Sequence, residues 1–103
     1  MPRFVLTNKA KADLKSIGRH TADTWGREQR NRYLASLDGA FHEPAADPFK
    51  GGDCGAVRPG YRKLRVGRHI VFYRLLNAGC IEIVRVLHER MDVECHLQGP
   101  DTD

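Results

Sequence analysis

Cysteine is scarce and unpatterned in this chain: Cys54, Cys80 and Cys95 form an odd, scattered set without a CxxC pair. Such a set does not build a disulfide framework, and a reducing compartment, the cytoplasm, is the simpler setting. Long apolar runs are missing as well. The opening "MPRFVLTNKAKADLK" turns charged after five residues of mixed polarity, so it supplies neither the apolar centre of a signal peptide nor a membrane span. A soluble protein without a membrane partner is expected. There is no repeat, linker or low-complexity segment, so residues 1–103 read as one domain. A chain of that length buries about 65% of the surface its unfolded form exposes, enough for a core without staples. Metal ligands are missing too. His88, Cys95 and His96 stand in an H-x6-C-H spacing that lacks a fourth partner, and His20, His42 and His69 have no companions at useful spacing. No metal or cofactor is expected.

What is present is positive charge, unevenly spread. The net charge is +4, yet residues 56–90 alone carry eight Lys and Arg against two acids, and residues 8–37 carry seven against three. The segment 38–55 is −3 and the end, 91–103, is −4. A basic body draws acidic partners to its surface, either nucleic acid or an acidic polypeptide, unless it is merely a solvated face.

The hydrophobic pattern changes period along the chain. "RFVLT" (3–7) is a short strand with Phe4 and Leu6 on one face. From a cap at Thr7 or Asn8, the residues Ala10, Leu14, Ile17, Thr21 and Trp25 recur at helical spacing, and Trp25 is expected in the core at the end of that helix. Gly26 interrupts. A second stripe, Arg30, Leu34, Leu37 and Phe41 with Tyr33 beside it, runs to Pro44, where helical geometry should end, and "EPAADPFKGGDCG" (43–55) reads as a loop. Two amphipathic helices joined at a glycine predict an antiparallel hairpin.

Beyond the loop the period is two. "YRKLRV" (61–66) puts Leu64 and Val66 on one face and Tyr61, Lys63 and Arg65 on the other. "HIVFYRLL" (69–76) and "CIEIVRVL" (80–87) are apolar in both phases, as strands covered on both sides are. Gly67-Arg68 and Asn77-Ala78-Gly79 are short enough for hairpins, so the three strands form a meander. The order predicts an α+β fold, β–α–α–β–β–β, with the helical hairpin on one face of an antiparallel sheet and a short tail at the end. The other face needs a second cover. "MDVECHLQ" offers Met91, Val93 and Leu97 for part of it, and a partner could supply the rest.

Two arginines sit inside these apolar strands. By strict alternation Arg85 shares a phase with Ile81, Ile83 and Leu87, and Arg74 shares one with Ile70 and Phe72. A guanidinium buried without a partner costs several kcal/mol, so each must be paired, solvated or held for a ligand. Two readings stand side by side. In one, Lys63, Arg65, Arg74 and Arg85 make a basic cleft on the face away from the helices, lined by Tyr61 or Tyr73. In the other they pair with Glu82, Glu89 or Asp92, or snorkel at a sheet edge.

"GYRKLRVGRHIVFYR" (60–74) and "IEIVRVLHERMD" (81–92), following the hairpin sequence "DTWGREQRNRYLASL" (23–37), resemble the ParE toxins of bacterial toxin–antitoxin pairs, within the wider RelE/ParE fold. The resemblance runs from about Phe4 to Leu97. It implies inhibition of DNA gyrase by binding, without catalysis, and neutralisation by a ParD-type antitoxin whose carboxyl-terminal segment wraps the toxin in a hetero-oligomer. DNA would be met only through the antitoxin or gyrase. The partner-binding set implied is Tyr61, Lys63, Arg65, Tyr73, Arg74, Arg85, His88 and Met91, with His88 anchoring the tail.

The alternative on the same fold is a ribosome-dependent mRNA endoribonuclease working without metal. It needs a base for the 2′-hydroxyl, cations for the crowded phosphate and an acid for the leaving oxygen. Lys63, Arg65, Arg85 and His88 could fill those roles. Against it, there is no Asp or Glu between Asp53 and Glu82, so the central strands hold no carboxylate base. A histidine at a strand end is also more often structural than catalytic. Direct DNA reading is disfavoured, because Arg27, Arg30 and Arg32 spread around a helix axis.

Overall fold

The computed structural model describes residues 3–53, 59–77 and 79–90. Strand β1 (Arg3–Leu6) leads into helices α1 (Asn8–Trp25) and α2 (Arg27–Ala46). Four strands follow: β2 (Gly52–Asp53), β3 (Tyr61–Val66), β4 (His69–Asn77) and β5 (Cys80–His88). They form one sheet in the order β1-β5-β4-β3-β2. The fold is the expected α+β arrangement with two differences. The segment read as a loop contains β2, which pairs with Lys63 and Arg62 at the sheet edge. And β1 joins β5 in parallel, so the sheet is mixed, not antiparallel throughout. The helical hairpin and three strands separate β1 from β5 in sequence, so no tight turn constrains them to run in opposite directions.

Local chemistry sets the helix ends. The Thr7 hydroxyl accepts the Ala10 N–H at 3.0 Å, which caps α1, and donates to the Val84 carbonyl at 2.7 Å, which ties the cap to the sheet. Gly26, at φ 92°, makes the turn between the helices in a conformation that a side chain would strain. Helix α2 does not stop at Pro44. It carries the ring inside its last turn, where the missing N–H removes one bond only, and the Asp47 N–H closes the end on the Glu43 carbonyl.

The core lies between helices and sheet. Ala10 and Ile17 of α1, with Leu37 and Phe41 of α2, meet Val71, Tyr73, Ile81, Ile83 and Val86, while Leu64 and Val66 pack at its margin. A smaller group, Tyr61, Phe72, Val84 and Leu87 with Ile70 against it, occupies the opposite face. Trp25 is not core: it is 73% exposed. The two four-residue steps that separate it from Ile17 rotate it about 80° around the helix, off the buried face.

Candidate functional site

The alternation that assigns Arg85 to a face is broken by a bulge. Phe72 pairs with Arg85 but Tyr73 pairs with Ile83, which leaves Val84 as the extra residue of β5. One inserted residue inverts the phase beyond it. Ile81 and Ile83 therefore face the helices together with Val86, while Val84 and Leu87 face away. This corrects the phase grouping in part: Arg85, opposite Phe72, stays in phase with Leu87, whereas Ile81 and Ile83 turn to the other face.

Arg85 is also not part of an open cleft. Its Nε and Nη2 donate to the two carboxylate oxygens of Asp13 on α1, at 2.8 and 2.9 Å, and the Val86 N–H donates to the same carboxylate at 2.9 Å. The two side chains are 13% and 14% exposed. Strand β1 pairs with β5 only as far as Ile83. Beyond it, Thr7 and Asp13 of the first helical turns take over the edge hydrogen bonds that a longer β1 would make. The charge inside the strand answers a charge inside the helix stripe. Asp13 stands four residues before Ile17, on the buried side of α1, and a carboxylate in that stripe was the sequence signal that pairs with Arg85.

Tyr73 likewise leaves the cleft. It is wholly buried on the helix side, where its hydroxyl donates to the Pro48 carbonyl at 2.8 Å and accepts the Gly51 N–H at 2.9 Å. That phenol pins the chain after α2 to the sheet. Gly51 has no room for a side chain, since a Cβ there would stand 2.5 Å from both the Tyr73 hydroxyl and the Lys63 carbonyl.

The face away from the helices carries Tyr61, Lys63 and Arg65 of β3, Arg74 of β4 and Glu82 of β5. Its middle is not open: Phe72, Val84 and Leu87 are at most 1% exposed and Tyr61 is 7%. Its rim is charged. Arg74 pairs with Glu82 at 2.7 Å and Arg65 with Glu89, while Lys63 is exposed and makes no ion pair among the described residues. Met91, Cys54, Cys95 and His96 lie outside the described residues.

A second assembly of side chains was not foreseen. His69, taken from sequence to lack companions, pairs across the sheet with His88, and the rings meet edge to face at 5.3 Å between centroids. The Tyr33 hydroxyl lies 2.5 Å from His69 Nδ1. The same hydroxyl stands 3.3 Å from the Val66 carbonyl, so the partner that takes its single proton is set by the His69 tautomer. Burial, reinforced by the neighbouring His88, pushes the His69 pKa below the usual histidine value. Burial also raises the Tyr33 phenol above its ordinary value, so it stays protonated at neutral pH. The Arg90 N–H donates to His88 Nδ1 at 3.1 Å, which requires that nitrogen to be bare.

The sequence profile of the ParE toxin of type II toxin-antitoxin systems, parDE, matches residues 4–93. The chain belongs to the ParE toxin family. It is 46% identical over 95 residues to toxin ParE1 of Mycobacterium tuberculosis, covering 92% of this chain and 97% of that protein. Toxin ParE of Escherichia coli is 37% identical over 99 residues, covering 94% of each chain. Among solved structures, a chain of the chromosomal ParDE system from P. aeruginosa superposes with a TM-score of 0.73 at 22% identity, covering 85% of this chain and 96% of that one. A chain of the RelBE2 toxin-antitoxin complex from Mycobacterium tuberculosis does so at 0.61 and 23%, covering 85% and 99%. At those identities the structures speak for the fold alone.

Within this ParE-family fold, the residues proposed from sequence divide. Tyr61, Lys63, Arg65 and Arg74 do share one face. Arg85, opposite Phe72 and so in one row with Lys63, lies on that face as well, with its guanidinium held by Asp13 of α1; Tyr73 is drawn into the interior on the helix side, and His88 sits at the end of β5 beside His69. Of Lys63, Arg65, Arg85 and His88, the set an endoribonuclease would use, Arg85 is committed to Asp13 and Arg65 to Glu89, while His88 lines the recess beside α1.

Proposed function

We propose that this protein is a toxin that inhibits DNA gyrase by binding and is neutralised by a ParD-type antitoxin in a hetero-oligomeric complex in the cytoplasm. The observation that carries the reading is the family match across residues 4–93. The surface supports it: a sheet face rimmed by Lys63, Arg65 and Arg74 suits the acidic, wrapping segment of an antitoxin. Action by binding is favoured over RNA cleavage because the central strands carry no carboxylate base and the nearest acids, Asp13, Glu82 and Glu89, are each held by an arginine.

A supercoiling assay with purified gyrase tests the target. Inhibition at stoichiometric protein is expected. Unchanged gyrase activity at large excess, with rapid loss of ribosome-bound mRNA in a parallel assay, would replace this reading with the endoribonuclease. The partner is tested by co-expression with a ParD-type antitoxin, which should co-purify with the toxin and restore growth.

A further inference from the structure

The tip of the helical hairpin and the β3–β4 turn enclose a groove whose lining includes the Tyr33, His69 and His88 assembly. Trp25, Gln29 and Tyr33 line one wall, and Arg68, His69 and His88 the other. Its volume is about 490 Å³, and it shares His20, Thr21, His69 and His88 with a smaller recess of about 190 Å³ between α1 and the end of β5. Both parts are open to one side. Three features of the groove bear on what it takes.

The first is Trp25. It is the one tryptophan of the chain, and at 73% exposure it stands on the groove's lip with no packing role. A large exposed indole beside a concave surface is the usual anchor of a protein interface. The second is hydrogen bonding. With its Nδ1 taking the Arg90 N–H, the His88 imidazole is left with an Nε2–H donor. Gln29, Thr21 and the Arg68 guanidinium add more donors. The third is charge. The groove lining holds no acid, and Asp13, Glu28 and Glu89 are spent on Arg85, Arg32 and Arg65. Arg68 and Arg27, both exposed, make no ion pair among the described residues.

We propose that this groove is the toxin's target-docking surface, and that it takes a carboxylate-bearing segment of the target protein with Trp25 as the aromatic anchor. It rests on the toxin reading in one respect, that the segment belongs to the target and not to the antitoxin. Neutral donors with a single guanidinium at the groove match carboxylate and backbone carbonyl groups. A nucleic-acid strand would call for a stripe of cations along its phosphates, which the groove lacks. The groove also lies apart from Lys63 and Arg74 on the sheet face, so one molecule can hold target and antitoxin chemistry on separate surfaces.

The test uses the full chain carrying Trp25→Ala or Arg68→Glu, with Trp25→Phe as the conservative control. Both positions are exposed, so thermal midpoints should match the parent. Induced in cells, the parent arrests growth. Trp25→Ala and Arg68→Glu should each weaken the arrest by about tenfold or more in viable counts, Trp25→Phe should keep most of it, and all three should still co-purify with the antitoxin. Full arrest by both damaging variants overturns the docking proposal and leaves the toxin reading standing. Loss of antitoxin binding together with arrest also overturns it, because the groove would then belong to the antitoxin. A parent chain that arrests nothing removes the toxin reading, and the proposal with it. Trp25 emission reports the chemistry directly: a shift with poly-glutamate supports the proposal, whereas a shift with a single-stranded oligonucleotide and none with poly-glutamate overturns it.

Discussion

Removing the Asp13 carboxylate should destabilise this protein more than any exposed charge substitution, and the structure sets the scale. Asp13→Ala takes away the bidentate acceptor of Arg85 and the acceptor of the Val86 N–H in one step. Breaking a buried ion pair from one side costs roughly 3–5 kcal/mol, and a buried backbone N–H left without its acceptor about 1–3 kcal/mol. These do not add, since one carboxylate serves both and the pair is not wholly dry, so about 3 kcal/mol is the working figure. In a domain of this size that is roughly 12–24 °C in Tm. Asp13→Asn, which keeps an acceptor and loses the charge, should cost about half as much. The measurement is urea unfolding of Asp13→Ala, Arg85→Met and the double variant. The double variant should recover much of the loss, because the desolvated charge goes with its partner. The reasoning is refuted if Asp13→Ala unfolds within about 0.5 kcal/mol of the parent, the range of an ordinary surface change.

Further expectations come from neighbouring contacts. Tyr73→Phe leaves the Gly51 N–H without its acceptor and should cost about 1–3 kcal/mol by the same unfolding measurement. Gly51→Ala, forced against Tyr73 and the Lys63 carbonyl, should cost at least as much. Because His69 titrates below its unfolded value, the unfolded chain binds the extra proton first on acidification. Stability should be whole above the ordinary histidine pKa and fall as pH drops through it toward the lowered folded value, and His69→Gln should flatten that slope. Reversing charge at Arg65 or Arg74 should weaken antitoxin affinity in a salt-dependent way without unfolding the domain, as measured by titration at two ionic strengths; both guanidiniums are exposed and their ion pairs contribute little to stability. Charge reversal at Arg85 should instead lower Tm, since it sets two carboxylates against each other.

The chain's order of elements was legible because it is written in local periods. A helix repeats every 3.6 residues and a strand every two, so the stripe Ala10–Leu14–Ile17 and the alternation of "YRKLRV" declare themselves without tertiary contacts. The Thr7 cap and the Gly26 turn are equally local. Parity fails where one residue is inserted. Strict alternation put Arg85 with Ile81 and Ile83, and nothing in "IEIVRVLH" marks Val84 as the bulge. A bulge follows from how β5 must lie against β4 and α1 at once.

By itself the sequence determined an α+β chain with two amphipathic helices, a basic strand meander and the motifs of the ParE family. Only the folded chain decided which charges meet. Asp13 and Arg85 stand 72 positions apart, Tyr33 and His69 36, and each pair forms because packing the hairpin on the sheet brings them within hydrogen-bond range. The same packing hid Tyr73, left Trp25 in solvent and built the groove beside it. Periodicity is a property of neighbouring residues and survives in the linear text, whereas a contact between distant residues exists only once register, bulge and helix docking have been chosen together.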